Sequence, residues 1–426
     1  MSETRGSSAP LLSGLGDPQR QRLANGVELV SLPLPEAPLV CIDFWCQAGS
    51  CFERPQEHGM AHFLEHMVFK GSDDLAAGEF DRRVEALGGM TNAATGFDDV
   101  HFHVLIPPDA AAEALDLLLD LVLRPRLEAE AFAMERQVVL EELAQSEDQP
   151  EEVALQRLLA EACPGHPYSL PILGDRESLL HHDPEAMAAF HQRLYRPGGC
   201  VLSLAGAIAD GQLATRAALG PLGALTNGDP SDTNQPPPLH VVAGEHRLAL
   251  PRLEAARLLM AWVQPPAGNL EALIGSDLAT TVLSEGRRSR LVDRLREDLQ
   301  LVESIDLDLH AMQGGSLALL EAVCEPEDLE AVRQVITEVW QEVMAAPIGM
   351  EEWERAQRLV ANSYRFGLES AAGVAGLIGS NQLWQRDNRL ASPLEMLQRW
   401  TPETLQQQVL SGFDPALASV LEAVPA

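Results

Sequence analysis

His62 and His66 stand four residues apart, with Glu65 immediately before the second of them, in the stretch HFLEHMVFKGS. On a helix, positions i and i+4 share a face and lie a few ångströms apart, so both imidazoles can aim at one cation. Glu65 leans over the edge of that face, close enough to reach a water on the cation without ligating the cation itself. Two neutral imidazoles and a water suit Zn2+, which takes nitrogen and oxygen ligands and lowers the pKa of a bound water to about 7. Glu65 can then accept the proton. The plainer reading is an amphipathic helix with surface histidines, and the order His-x-x-Glu-His, which recurs in catalytic zinc sites, weighs against it.

A catalytic zinc asks for a third protein ligand. The helical stretch EAEAFAMERQVVLEELAQ from Glu128 offers several acids. At about 100° per residue, Phe132, Val139 and Leu143 gather on one side and should face the core. Glu135 and Glu142 share a stripe beside that apolar side, whereas Glu141 falls towards solvent. A ligand has to be half buried, so Glu142 or Glu135 is preferred over Glu141.

The elements that must hold these residues read as an α+β pattern. LANGVELVSLPLPEAPLVCIDFWCQAGS (23–50) has alternating, β-branched runs broken by Pro and Gly, which predicts two strands of an antiparallel pair. TNAATGFDDVHFHVLIP (91–107) predicts another strand pair, and long helices are expected over 128–145 and 150–162. Gly71 is placed to end the histidine helix. Around 220–240 the composition turns to Gly, Pro, Asn and Ser without periodicity, as in a linker. This divides the chain into a metal-bearing domain, 1–220, a linker, 221–240, and a second domain, 241–426. The second domain repeats the first. RLALPRLEAARLLMAWVQPPAG from Arg247 parallels the first strands, and GRRSRLVDRLRE from Gly286 takes the place of the histidine helix. IGMEEWERAQRLVANSY from Ile348 echoes RLEAEAFAMERQVVLEEL from Arg126. Two tandem homologous domains follow, each a mostly antiparallel sheet packed with helices, with the chemistry carried by the first.

Composition narrows the partners. The chain has 426 residues, 46% of them hydrophobic and 22% charged, enough for two or more packed domains. A formal charge of −33 repels phosphate backbones and anionic membranes, so neither nucleic acid nor a membrane surface is expected, while a basic peptide would be drawn in. The beginning of the chain lacks the apolar core of a secretion signal, and the most apolar window, ALDLLLDLVL, is interrupted by Asp116 and Asp120. Six cysteines show no CxxC spacing and read as reduced core residues. A cytoplasmic protein is expected.

Other candidates are weaker. His101 and His103 alternate on one strand face, where ordinary packing is expected because no third ligand lies near them in sequence. Asp98 and Asp99 read as turn residues and His166, before a proline, as structural. GVAGLIGSNQ from Gly373 lacks the ending of a phosphate loop.

Taken in order, GMAHFLEHMVFKGS, GGMTNAATGFDDVHF, ERQVVLEEL, GHPYSLPILG and SRLVDRLRE resemble the M16 peptidases: pitrilysin, insulin-degrading enzyme and the mitochondrial processing peptidase. They are called inverzincins for the reversed motif. The resemblance runs over nearly the whole chain and points to the short two-domain type. It implies a zinc metalloendopeptidase with one zinc per active chain, held by His62, His66 and Glu142, and with Glu65 as the base. Glu142 corresponds to the family's third ligand, in a VxxEE-like segment. Glu135 takes a supporting catalytic role beside the metal. Asn92 and Ala93 match the strand edge that holds substrate backbone, a mode in which main-chain bonds carry the affinity. The resemblance also gives Arg296 a substrate-clamping role with a tyrosine seven residues later, but here that position is Glu303. Two-subunit members divide such groups between chains, so a homodimer or a heterodimer with a second similar chain is expected. The alternatives are a non-catalytic assembly subunit of the same fold, or a protein that holds peptides without cutting them.

Overall fold

The computed structural model describes residues 15–209, 211–226 and 235–426. The expectation drawn from the first fourteen residues, and the part of the expected linker at 227–234, lie outside the described residues. Two sheets carry the architecture. The first contains β1 (Gln19–Arg22), β2 (Glu28–Pro33), β3 (Val40–Cys46), β4 (Met90–Thr95), β5 (Val100–Ile106) and β6 (Cys200–Gly206), in the spatial order β1-β2-β6-β3-β5-β4. The second contains β7 (Gly244–Leu250), β8 (Ala256–Gln264), β9 (Ser304–His310), β10 (Ser316–Cys324) and β11 (Ser419–Pro425), in the order β7-β11-β8-β10-β9. Removing β1 makes the two orders equivalent. In each sheet one parallel pair, β2 with β6 and β7 with β11, joins otherwise antiparallel neighbours. The chain is therefore α+β with two copies of one topology.

Two details differ from the sequence expectation. β2 and β3 do not pair with each other, because β6, from residues 200–206, inserts between them and bonds to both. Strand propensity is local, whereas the partner of a strand is set by long-range closure of the sheet. The stretch from Gly286 also occupies a different place from the one expected. Two helices follow β3, α1 (Met60–Val68) and α2 (Glu79–Ala86), and two helical segments follow β8. In chain order Leu270–Ser284 answers to α1, and Val292–Asp298, formed from the expected stretch, answers to α2.

On one face of the first sheet, α1, α2, α3 (Ala111–Leu123) and α4 (Ala129–Glu147) bury Phe63, Phe80, Leu118, Phe132 and Val139 against Ile42, Phe44, Phe102 and Val104. β5 shows the alternation that one-sided burial of this core demands: Val100, Phe102, Val104 and Ile106 are buried, and His101, His103 and Leu105 are less so. β3 is buried at every position because its other face is also covered.

That cover comes from the other half of the chain. The helix Ala371–Leu383 lays Val374, Ala375 and Ile378 on Val30, Cys41 and Val201. Its glycines permit the approach, since a Cβ at Gly379 would lie 2.6 Å from the Trp45 ring nitrogen. In return α5 (Pro150–Ala162) sets Leu158, Leu159 and Ala162 against Leu259, Leu421 and Ala423 of the second sheet. Each sheet is thus completed by a helix from the other half. The six cysteines are buried and free. Among the described residues no helix is long and apolar enough to cross a membrane.

Asp98 adds a polar tie between the halves. Its carboxylate accepts from Tyr168 OH at 2.6 Å, from Cys51 Sγ at 3.4 Å and from the Gln313 amide at 2.7 Å, while the Gly314 amide donates to Tyr168 OH at 2.9 Å. Gln313 and Gly314 lie in the β9–β10 turn, so this aspartate does more than shape its own turn. His166 braces the same region, with Nε2 3.0 Å from Pro237 O and Nδ1 accepting from the Tyr168 amide. Leaving a buried donor without its acceptor costs about 1–3 kcal/mol. Asp98→Ala is therefore expected to lower stability by about 3 kcal/mol or more, read as a shifted urea midpoint.

Candidate metal centre

α1 starts at Gly59, whose φ of 81° suits glycine. No side chain within the first turn caps it. Glu53, seven residues before the helix, does so instead: one oxygen accepts from the Gly59 amide at 3.0 Å and the other from the Ala61 amide at 2.8 Å. Burial pushes the Glu53 carboxyl up to about 8 in spite of these donors. Buried Phe63, Leu64 and Met67 set the rotation of α1, and Phe63 packs on Phe132 of α4 at 4.5 Å between centroids. The chain turns away through Gly71, where φ is 116° and a Cβ would meet Leu75 O at 2.6 Å.

With α1 and α4 so placed, three side chains converge. His62 Nε2 lies 3.7 Å from Glu142 Oε1, and His66 Nε2 lies 3.4 Å from Glu142 Oε2. The ring centroids of the two histidines are 4.7 Å apart. A tetrahedral ion with ligand bonds of about 2.0–2.1 Å has ligand-to-ligand edges of roughly 3.3 Å, so small side-chain shifts would let these atoms share one zinc. Glu141 is exposed, as its place on the helix requires.

Glu135 is buried behind the site. One of its oxygens is 2.9 Å from His66 Nδ1 and the other is 2.6 Å from Lys70 Nζ. With Nδ1–H donated to this carboxylate, Nε2 of His66 carries the lone pair that faces Glu142. Glu135 thus lies where it can orient His66, and its two oxygens are taken up by His66 and Lys70.

The electrostatics suit a cation. Burial, with a smaller effect from His66, holds His62 down at about 4, so its ring is neutral near pH 7 and available as a ligand. Glu65 is raised above the ordinary glutamate value, first by burial and then by Glu142, against the lowering effect of Thr95 and His66. Thr95 Oγ1 donates to Glu65 Oε2 at 2.5 Å. This residue ends β4, and the bond fixes the Glu65 carboxylate against the edge strand.

Among the described residues, β4 has β5 on one side and no strand on the other. Asn92 and Ala93 lie in the middle of it, Asn92 exposed, and the Asn92 side-chain oxygen accepts from the Ala93 amide at 3.0 Å. Arg296 is not brought to this cluster. It pairs with Glu297 at 2.7 Å in the second half, where Glu303 is exposed at the approach to β9. Sequence reasoning missed Glu53, Lys70 and Thr95, and only Glu53 and Lys70 had a usable signal, as charges just outside the histidine helix.

Comparison with known proteins shows the family. The family model described as insulinase, peptidase family M16, matches residues 29–176, and that described as peptidase M16 inactive domain matches residues 182–360. The His62, Glu65, His66 and Glu142 set falls inside the first stretch, and the second has no counterpart of it. An uncharacterized zinc protease of Rickettsia felis is 26% identical over 361 residues, covering 84% of this chain and 86% of its own length. One from Mycobacterium tuberculosis is 29% identical over 374 residues, covering 86% of this chain and 84% of its own. A protease from Helicobacter pylori superposes with a TM-score of 0.88 at 22% identity, over 96% of this chain and 99% of that one. The structure described as peptidase M16 inactive domain from Pseudomonas fluorescens gives 0.88 at 20% identity, over 96% and 98%. These two structural likenesses bear on the fold. Both halves are matched in tandem, and the chain belongs to the M16 peptidase family.

Proposed function

We propose that this protein is a zinc-dependent metalloendopeptidase of the processing-peptidase type, hydrolysing peptide bonds in short or unfolded peptides. The observation that carries the reading is the meeting of His62, His66 and Glu142 on one side of α1, with Glu65 held beside them by the edge strand. Relatives of similar length named zinc proteases support the metal and the reaction class.

When bound, zinc supplies a Lewis acid that polarises a scissile carbonyl and makes water more acidic. The protein's own groups do the rest. His62, His66 and Glu142 hold the ion, and Glu135 orients His66. Glu65, raised by burial, accepts a proton from the attacking water and passes it to the departing amine. The substrate backbone adds as a strand along the free edge of β4, past Asn92 and Ala93, which delivers its carbonyl beside Thr95 and Glu65. Affinity then comes mainly from main-chain bonds, and the net charge of −33 favours basic peptides. We also propose a second chain of the same kind as partner, since Glu303 stands where the clamping tyrosine is expected and Arg296 is paired elsewhere.

A quenched peptide incubated with the purified protein tests the reading. Turnover should stop with a chelator and return when zinc is added. Turnover indifferent to the chelator, or absent from zinc-loaded protein with any partner chain supplied, would set the proposal aside in favour of a binding or assembly role.

A further inference from the structure

A second group of ligating side chains lies on the face of the first sheet turned away from α1. β3 and β5 are neighbours, and their register sets Asp43 opposite His103 and Trp45 opposite His101. Asp43 is buried, 2% exposed, in the middle of β3, and His101 and His103 are half-buried on β5. His101 Nδ1 and Asp43 Oδ1 are 3.1 Å apart. The His101 ring stacks on Trp45 at 4.3 Å and 14°, and lies nearly parallel to His103 at 5.7 Å and 18°. His103 Nδ1 is buried and has no hydrogen-bond partner, a state that costs free energy unless something fills it. Sequence reading found no third ligand for these histidines because Asp43 lies 58 residues from His101.

We propose that Asp43, His101 and His103 form a second divalent-cation site, separate from the one held by His62, His66 and Glu142, and that it takes zinc. Two imidazoles and one carboxylate are a donor set that zinc and neighbouring transition ions accept. The ligand atoms of the three residues lie within 4.8 Å of one another, a spacing that the His62, His66 and Glu142 group also meets. The 3.1 Å between His101 and Asp43 is already close to the roughly 3.3 Å edge of a tetrahedral zinc site. The Trp45 stack restrains His101, leaving His103 as the group that swings in. The helix from the second half passes the carboxylate with Gly376, where an added Cβ would already be in ordinary contact with Asp43 Oδ2 at 3.9 Å, so the glycine leaves that room to the carboxylate.

An ion here links β3 to β5 across the sheet. β5 in turn bonds to β4, with His101 opposite Ala94 and His103 opposite Asn92. The site therefore lies under the strand whose free edge is proposed to receive the peptide. Its role is structural: it holds that edge in register and needs no part in the reaction.

The test uses the full chain with its first site removed. A His62→Ala/His66→Ala variant should still bind about one equivalent of zinc in equilibrium dialysis, and zinc should raise its thermal midpoint. Adding His103→Ala should abolish both the bound zinc and the rise. Asp43→Asn in the same background, nearly isosteric, should do likewise and guards against a variant that fails to fold. Wild-type protein should bind about two equivalents. A double variant that binds no zinc, or a folded triple variant that still binds it, would overturn the proposal. Neither result depends on peptide cleavage, so this inference and the proposed activity can fail separately.

Discussion

Glu65→Gln leaves zinc bound and lowers peptide hydrolysis by about 10²–10⁴-fold, the range that a positioned general base supplies. The amide keeps the size of the side chain, and its oxygen can still accept from Thr95 Oγ1, which now lies 2.5 Å from the carboxylate. What it loses is the capacity to take a proton. Because Glu65 is not among the three converging ligand groups, metal content should match the wild type within error. Metal analysis and kcat on one peptide, measured side by side, check both halves of the expectation. Wild-type turnover in this variant would place the base elsewhere. Loss of the metal would instead make Glu65 a ligand.

Glu142→Ala is expected to remove the ion held by His62 and His66, one equivalent of zinc, and the activity together. It deletes the carboxylate that faces both Nε2 atoms, at 3.7 Å and 3.4 Å. Two imidazoles on one helix turn remain, and a two-ligand site does not retain zinc against a mild chelator. Glu135→Gln is the informative contrast. Its carboxylate reaches His66 Nδ1 at 2.9 Å and no other nitrogen of the pair, so its loss should weaken zinc binding or activity by about 10–100-fold rather than abolish it. Competition against a chromophoric chelator ranks the two variants. If Glu135→Gln proved the more damaging, the ligand assignment on α4 would have to be exchanged.

Much of this site was legible because helical spacing is a short-range rule. His62 and His66 at i and i+4 must share a face, and the same angular argument separated Glu142 from Glu141 before any packing was known. The resemblance then singled out Glu142 from Glu135. Strand assignments at 28–46 and 90–106 followed from alternation, but pairing did not. Nothing in residues 23–50 announces that Cys200–Gly206 will separate β2 from β3, since the insertion is decided by a segment more than 150 residues away. Asp98 and His101 show the same limit. Each looked like a local turn or strand residue, and each meets partners far off in the chain, Gln313 for one and Asp43 for the other.

The amino-acid sequence by itself determined the candidate ligand set, the α+β class and the duplication, because residue type, periodicity and motif order are properties of short segments. Only the tertiary structure decided that α5 and the helix Ala371–Leu383 exchange sheets, that Thr95 braces Glu65, and that Asp43 joins two histidines. Those contacts arise when distant segments bury apolar faces against one another, and burial of that kind leaves no trace in local spacing.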